Sequence, residues 1–598
     1  MHVVATAGHV DSGKSTLVRA MTGMEPDRWE EERRRGLTID LGYAWTTLPS
    51  GQDVAFVDVP GHERFLGNML AGIGPAPVVC FVVAADEGWQ AQSSDHRDAV
   101  AALGIEHGVV VLSRADRASG QRAAEVLART RTELAGTGLR DAPAVAVSAI
   151  DGTGLAELRA ALDGVLARVP APATTGRVRL WVDRSFTITG SGTVVTGTLA
   201  AGTVAQGDRL ELLGHVDSRP VVVRGVQSRD TSYTSVEPVS RVALNLRDVA
   251  ATDIRRGDAL VTPDAWPTTG VVGIQRTTGV AYTEVPEQIM VHVGTASVPA
   301  RLRPFGDDHA RLVLDRHLPL VLGDRLVLRD PGSRSVLGGA SILDADPPAL
   351  RRRGDGAHWA ERLAGMDSGG DVLGEVAARG AVQVPHLRKL GLLSGCDADA
   401  PSGVRVFGDW WVHAPVLEAW QHRLRTAVQS LQERDPLAPG LSMGAARDLL
   451  KLPDERLLTH VLQGAELEHE SGYIRLPGSQ DNLGPIETAI AQLEGRLSAD
   501  AFHAPEADEL AALGLGAREL AAAERTGRVL RLRDGVVLLP TAPALAMRTL
   551  AGLDQPFTTS QARQALGTTR RIAVPLLEHL DSRGWTRRLD AGHRTVVR

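Results

Sequence analysis

Apolar positions in the first 170 residues come as short unbroken runs, each handing over to a glycine-rich or polar turn. Residues 2–8, 54–58 and 108–113 are such runs, rich in β-branched residues and too short for helices, which predicts buried strands of an α/β sheet. Helical spacing follows the first of them at residues 16–21. After a Pro- and Thr-rich linker at 170–176 the pattern changes. Residues 179–182, 192–199, 208–213, 220–224 and 242–246 are short strand-like runs between glycine turns, which predicts a β-barrel. A second β segment, 270–343, lies beyond Pro263 and Pro267.

The remaining 251 residues, 348–598, carry a period. Hairpin-like endings at 404–413, 467–477, 528–540 and 585–598 stop 64, 63 and 58 residues apart, each behind helical stretches. Helices followed by a β wing, repeated about every 60 residues, predict four winged-helix modules. The expected division is an α/β domain at 1–170, barrels at 171–265 and 266–347, and winged helices at 348–414, 415–477, 478–540 and 541–598.

Composition narrows the classes. A chain of 598 residues with 43% apolar residues and a net charge of −7 is neither disordered nor a bulk polycation. Its two cysteines, Cys80 and Cys396, exclude a disulfide framework or a CxxC zinc site and suggest a reducing compartment. The start MHVVATAG has no basic or long apolar region, and no run approaches the ~20 residues of a membrane span, so a soluble cytoplasmic protein without membrane partners is expected. Only three of the 65 basic residues are lysines, Lys14, Lys389 and Lys451. Lysine in so arginine-biased a chain points to chemistry that wants a compact ammonium.

Lys14 stands in such a place. Gly8-His9-Val10-Asp11-Ser12-Gly13-Lys14-Ser15, before Thr16 and a helical pattern, is a phosphate loop in its strand–loop–helix context. Its backbone N–H groups and helix N-terminus suit phosphates, Lys14 suits the terminal phosphates, and the Ser15 hydroxyl suits Mg²⁺. The strand at 54–58 ends in Asp58-Val-Pro-Gly61-His62, where Asp58 can hold a magnesium-bound water and the Gly61 N–H can sense a γ-phosphate. Thr38, in the loop between these motifs, is where GTPases complete the Mg²⁺ shell. Residues 108–116 end in Ser113-Arg114-Ala115-Asp116, and 144–149 end in Ser148-Ala149, matching the elements that hold guanine. Asp116 faces donors on guanine and would face an acceptor on adenine, so GTP and GDP are the expected nucleotides. Ser113 replaces an asparagine and Arg114 a lysine of the usual pattern, which shortens the contact to the base. Gly190-Ser-Gly192 leads into a β-branched run, not a helix, and is no dinucleotide motif.

The segments GHVDSGKS, RGLTID and DVPGHE together resemble the translational GTPases that deliver aminoacyl-tRNA. The resemblance implies a GTPase whose His62 orients the attacking water once the ribosome positions it, and an Asp11 that helps hold a monovalent cation. Residues 182–198, with 34–43, are further similar to the bacterial selenocysteine-specific elongation factors, over nearly the whole chain. That implies a selenocysteine pocket from Arg184 and Arg241, with Asp183 orienting them and Tyr43 as a wall. A selenol is ionised at neutral pH where serine is neutral, so always-charged arginines would discriminate. Barrel 266–347 is then expected to contact the tRNA. A general aminoacyl-tRNA carrier would leave the 251 extra residues unexplained. A winged-helix DNA regulator would leave the barrels and the Pro-Gly-His motif unexplained.

The last module departs from the chain's charge. Residues 541–598 hold nine arginines and four acids, +5 in a chain of −7, which leaves −12 elsewhere. Arg570 and Arg571 open the presumed recognition helix, and Arg583, Arg587, Arg588 and Arg594 lie at its end and in the wing. A basic module after a translational one is expected to bind an mRNA hairpin. The expected partners of a monomeric chain are thus selenocysteinyl-tRNA, an mRNA hairpin and the ribosome.

Overall fold

A computed structural model describes residues 1–26, 38–171, 174, 176–190, 192–366, 369–393, 399–478 and 483–597. Arg34, Arg35 and Gly36 of the motif before Thr38, and Cys396, lie outside the described residues. Two compact units result, residues 1–375 with 382–401, and residues 376–381 with 402–598.

The first unit begins with a six-stranded sheet ordered β2-β3-β1-β4-β5-β6, from β1 (His2–Ala7), β2 (Gly42–Thr47), β3 (Asp53–Asp58), β4 (Val78–Ala84), β5 (His107–Ser113) and β6 (Ala144–Ala146). Only β2 runs antiparallel, on β3. Each face packs into its own apolar core, which is why β4 is buried at every position. Ligands of such sheets bind beyond the carboxyl ends of the strands, where β1 hands over to helix α1 (Lys14–Thr22).

Two closed six-stranded barrels follow. In the first, Arg209–Leu213, Ala259–Val261, Arg179–Ile188, Gly192–Leu199, Ser240–Arg247 and Ser218–Ser228 pair in that order, and the last returns to the first. The pairing of Arg179–Ile188 with Gly192–Leu199 slips between Val182 and Arg184. Such a bulge re-aims side chains, and it falls on Asp183 and Arg184. The second barrel closes through Thr268–Gly279, His309–Pro319, Ala296–Pro304, Gln288–Val293, Arg325–Arg329 and Val336–Asp344.

The expected module at 348–414 does not stand by itself. Its helix Asp355–Ala364 buries Trp359 and Leu363 against Leu343 of the second barrel, and Leu390 joins that barrel's core, whereas its hairpin Val404–Phe407 and Trp410–His413 belongs to the second unit. In that unit Trp410 and Val412 share a core with residues 417–474 of the next module. The last two modules are likewise fused. One core runs from Leu483, Ile490 and Leu497 to Leu576 and Leu580, and the Thr568 hydroxyl donates to the Phe502 carbonyl at 2.6 Å. A 60-residue unit buries too little apolar surface to be robust alone, so pairing is the economical arrangement.

Leu576→Ala is therefore expected to cost about 2–5 kcal/mol and to lower hydrogen-exchange protection in helix Glu487–Ala499 together with helix Arg570–Ser582. Loss confined to residues 541–598 would show the two modules to be independent.

Candidate nucleotide site and anion cage

The phosphate loop is shaped by positions only glycine can fill. Gly8 has φ 135°, and a Cβ there would lie 2.1 Å from the Val82 carbonyl oxygen. The loop curls around Lys14, whose Nζ donates to the carbonyls of Gly8 (3.0 Å) and His9 (2.7 Å). Burial, against the pull of Asp58 and Asp11, lowers the Lys14 ammonium to about 8. The Ser15 hydroxyl donates to Asp58 Oδ2 at 2.6 Å and lies 2.9 Å from the Thr38 hydroxyl. Thr6 fixes the other Asp58 oxygen at 2.8 Å. The three oxygen-bearing residues expected at a Mg²⁺ site are thus brought together.

A cleft of about 580 Å³ opens above the loop, lined by Val10, Asp11, Gly13 to Thr16, Thr38, Gly61, Ser113, Arg114, Asp116 and Ala149. His9 Nδ1 and Ser12 Oγ are buried beside it without a hydrogen-bond partner. A glycine cradle, a buried ammonium, a hydroxyl–carboxylate cluster and unpartnered polar atoms fit a magnesium nucleotide. At the base end, Asp116 and Ala149 line the cleft, and Ser148 is buried, its N–H donating to the Thr153 carbonyl at 2.9 Å.

Two residues expected to meet the base have other partners. The Ser113 hydroxyl donates to the Ser12 carbonyl at 2.5 Å and so underpins the loop. Arg114 reaches over it to the Asp11 carbonyl, with Glu87 at 2.6 Å and Asp86 at 3.5 Å behind. A further support was not legible in the motif. On helix Ala91–Ala102, His96 Nδ1 accepts from the Gly8 N–H at 3.0 Å and Gln92 Oε1 from the Val10 N–H at 3.2 Å. Burial first, then Lys14 and His9, push His96 far down, so it is a neutral acceptor. The i, i+4 spacing of Gln92 and His96 is the signal that places both on one face.

Gly61 packs so tightly on the loop that a Cβ would meet the Val10 nitrogen at 2.5 Å. His62, half-buried, caps the turn Glu63–Phe65, its Nδ1 accepting from the Arg64 N–H at 3.2 Å. With Nδ1 committed as acceptor, the neutral ring carries its proton on Nε2 and presents a donor.

Beside this site the first barrel meets the nucleotide domain through a cage of charges. Asp183 holds Arg241 in a two-pronged pair, with Nη2 to Oδ1 at 2.8 Å, and accepts from the Thr196 hydroxyl at 2.6 Å. The Arg241 guanidinium lies 3.9 Å and that of Arg184 4.9 Å from the centre of the Tyr43 ring. The Tyr43 hydroxyl is buried without a hydrogen-bond partner. Arg184 bonds Asp40 Oδ2 at 3.3 Å and the Leu41 carbonyl. All four residues expected in an aminoacyl pocket therefore meet. Arg256, which sequence reasoning passed over, completes the cage. It bonds Asp40 Oδ1 (2.5 Å), Asn68 Oδ1 (2.8 Å) and the Asp183 carbonyl (3.1 Å). Its signal was the Arg255-Arg256 pair just before a barrel strand. Arg184, Arg241 and Arg256 face Asp40 and Asp183, so the named cluster has one positive charge over.

In the second unit, Arg570, Arg583, Arg587 and Arg588 are exposed. Of the other two expected RNA contacts, Arg594 needs correction. Arg594 is 5% exposed, bound to Asp581 at 2.9 Å and to the Thr559 hydroxyl at 3.1 Å, so it braces the wing. Arg571 donates to the carbonyls of Ala504 (2.9 Å) and Pro505 (3.3 Å) and pairs with Glu506 at 3.2 Å, tying the helix start to the preceding module.

A phosphate-loop sheet followed by two closed barrels defines a translational GTPase. Residues 1–168 match the model of the elongation factor Tu GTP binding domain, 283–349 that of the selenocysteine-specific elongation factor beta-barrel domain, and 548–595 that of the elongation factor SelB winged helix. The chain is 31% identical to the selenocysteine-specific elongation factor of Escherichia coli K12, over 99% of this chain and 98% of that one. It is 28% identical to that of Desulfomicrobium baculatum, over 98% of each. In fold it resembles the crystal structure of bacterial selenocysteine-specific elongation factor EF-Sec, with TM-score 0.74, 24% identity and full coverage of both chains. The chain belongs to the selenocysteine-specific elongation factor family and is a GTPase. Among the described residues no helix is long and apolar enough to cross a membrane.

Because burial, against the pull of Asp58 and Asp11, brings the Lys14 ammonium down to about 8, and phosphate would hold it charged, nucleotide binding takes up a proton above that pH. GDP affinity is expected to be flat below pH 7 and to fall about fivefold between pH 8 and 9, read by calorimetry. A flat profile through pH 9 would mean that Lys14 is already fully charged in the empty site.

Proposed function

We propose that the chain carries selenocysteinyl-tRNA in its GTP form to a ribosome decoding UGA, anchored to an mRNA hairpin by its last winged helix, and that GTP hydrolysis releases the tRNA. The observation that carries this reading is the cage. Three guanidiniums against two carboxylates around a buried, unpartnered tyrosine hydroxyl leave room in charge for one monoanion, which an ionised selenol supplies and serine does not. A carrier of many aminoacyl groups has no use for such a site.

In the hydrolytic step the loop N–H groups and Lys14 bind the phosphates, and Asp116 with Ala149 reads the guanine. Ser15, Thr38 and Asp58 would hold the Mg²⁺, which when bound neutralises charge developing on the phosphates. His62, with Nδ1 tied to Arg64, offers Nε2–H to a water and so orients it without deprotonating it. Ribosomal stimulation would consist of placing this half-buried ring. A monovalent cation near Asp11 rests on the family resemblance alone. For the hairpin, exposed Arg570, Arg583, Arg587 and Arg588 supply the charge. The duplex-DNA alternative is separated by competing hairpin RNA against DNA.

The direct test is whether GTP-loaded protein prefers selenocysteinyl-tRNA to the same tRNA charged with serine; equal affinity would remove the reading. His62→Ala should leave GTP binding intact and lower ribosome-stimulated hydrolysis at least ~10²-fold. Unchanged turnover would take His62 out of the mechanism. Arg241→Ala would strand the buried Asp183 carboxylate and unsettle the barrel, so Arg241→Lys is the cleaner variant. It should weaken selenocysteinyl-tRNA about tenfold and seryl-tRNA hardly at all. Equal losses would make Arg241 a structural residue. Arg570→Ala should flatten the log–log salt dependence of hairpin binding by roughly 0.7–0.9, and an unchanged slope would place the RNA elsewhere.

A further inference from the structure

We propose that Asp40 is the positioning residue through which the phosphate site governs the cage, making its anion selectivity conditional on the bound nucleotide. This rests on reading the cage as the aminoacyl pocket. Asp40 follows two residues after Thr38, whose hydroxyl faces Ser15 and, through it, Asp58. Its carboxylate is shared: Oδ2 takes Arg184 and Oδ1 takes Arg256. One short segment thus has Thr38 at the phosphate end and Asp40 at the barrel end.

The geometry limits what movement of that segment can do. Arg184 is held by Asp40 and by the Leu41 carbonyl, both on the segment, and by Tyr43 just beyond. Arg241, in contrast, is held by Asp183 within its own barrel. If Thr38 leaves Ser15 and the segment moves with it, Arg184 loses its Asp40 and Leu41 anchors and keeps only the Tyr43 face, while Arg241 keeps its own. Arg256 also bonds Asn68, which in turn donates to the Ile39 carbonyl at 3.0 Å, so the segment is gripped from the helix after the Pro-Gly-His motif as well. The Asp40 carboxylate lies between two guanidiniums, 3.3 Å from that of Arg184 and 2.5 Å from that of Arg256, and holds both by its charge. Asparagine has nearly the same shape and lacks that charge, which isolates the electrostatic part of the link.

The experiment uses the full chain loaded with GDP or a non-hydrolysable GTP analogue, and measures affinity for selenocysteinyl-tRNA and seryl-tRNA. Asp40→Asn should weaken selenocysteinyl-tRNA at least tenfold in the GTP-analogue form and less than twofold in the GDP form. Seryl-tRNA and the nucleotide itself should shift less than threefold. In Arg184→Gln, adding Asp40→Asn should cost no more than twofold further, because Asp40 acts through Arg184. Equal losses for both tRNAs would mean that Asp40 merely docks the barrel, and full retention of the nucleotide dependence would overturn the inference too. Failure of the aminoacyl reading shows separately, as wild-type protein that does not distinguish the two tRNAs. Should Asp40→Asn not fold, Asp40→Glu serves: it keeps the charge and is expected to keep at least a third of the wild-type preference, and loss of the preference in a folded Asp40→Glu protein would overturn the inference.

Discussion

Three guanidiniums held together in a largely buried seam is the arrangement on which the rest of the first unit turns. Like charges so close repel, and only the carboxylates of Asp40 and Asp183, with the face of Tyr43, make the cluster tenable. Breaking such a buried pair costs far more than forming it gains, so the cage is a poor way to add stability and an effective way to fix geometry. It fixes where the first barrel sits against the nucleotide domain. The bulge after Val182 makes this possible by turning Asp183 and Arg184 out of simple alternation.

The phosphate site follows the same logic of prepared, costly charge. Lys14 is buried with its direct hydrogen bonds going to two carbonyls, and burial outweighs the pull of Asp58 and Asp11, so its ammonium is partly destabilised until phosphate arrives. Around it the loop is braced from three sides, by Ser113 beneath, Arg114 above and the helix bearing Gln92 and His96 behind. Preorganisation of this kind is what phosphoryl chemistry requires, since most of its catalysis is positioning.

What could be read from the sequence was what is local. The phosphate loop, Asp58 and Gly61 declare themselves because each role is fixed by a few neighbours in the chain. Arg184 and Arg241 came from a family resemblance and meet as expected, but Arg256 did not appear, because its partners Asp40 and Asn68 lie 216 and 188 positions away. Spacing places Ser113 and Arg114 at the nucleotide cleft, which both line, but does not show that they also brace the phosphate loop through Ser12 and Asp11. The period at the C-terminal end located the wings, yet not the fusion of modules into shared cores, which depends on which apolar faces meet. Arg594 misled for the same reason: an arginine's charge is visible in a sequence, its internal carboxylate partner is not.

The central claim is that the cage selects by charge. The most direct measurement compares selenocysteinyl-tRNA with the same tRNA carrying cysteine, whose thiol is nearly isosteric and titrates around 8.5, across pH 6.5 to 9 on the GTP-analogue form. If charge decides, preference for selenocysteine is large near neutrality and shrinks as the thiol ionises, while preference over serine stays constant. A preference over cysteine that does not change with pH would contradict the account and make the cage a reader of size or polarisability.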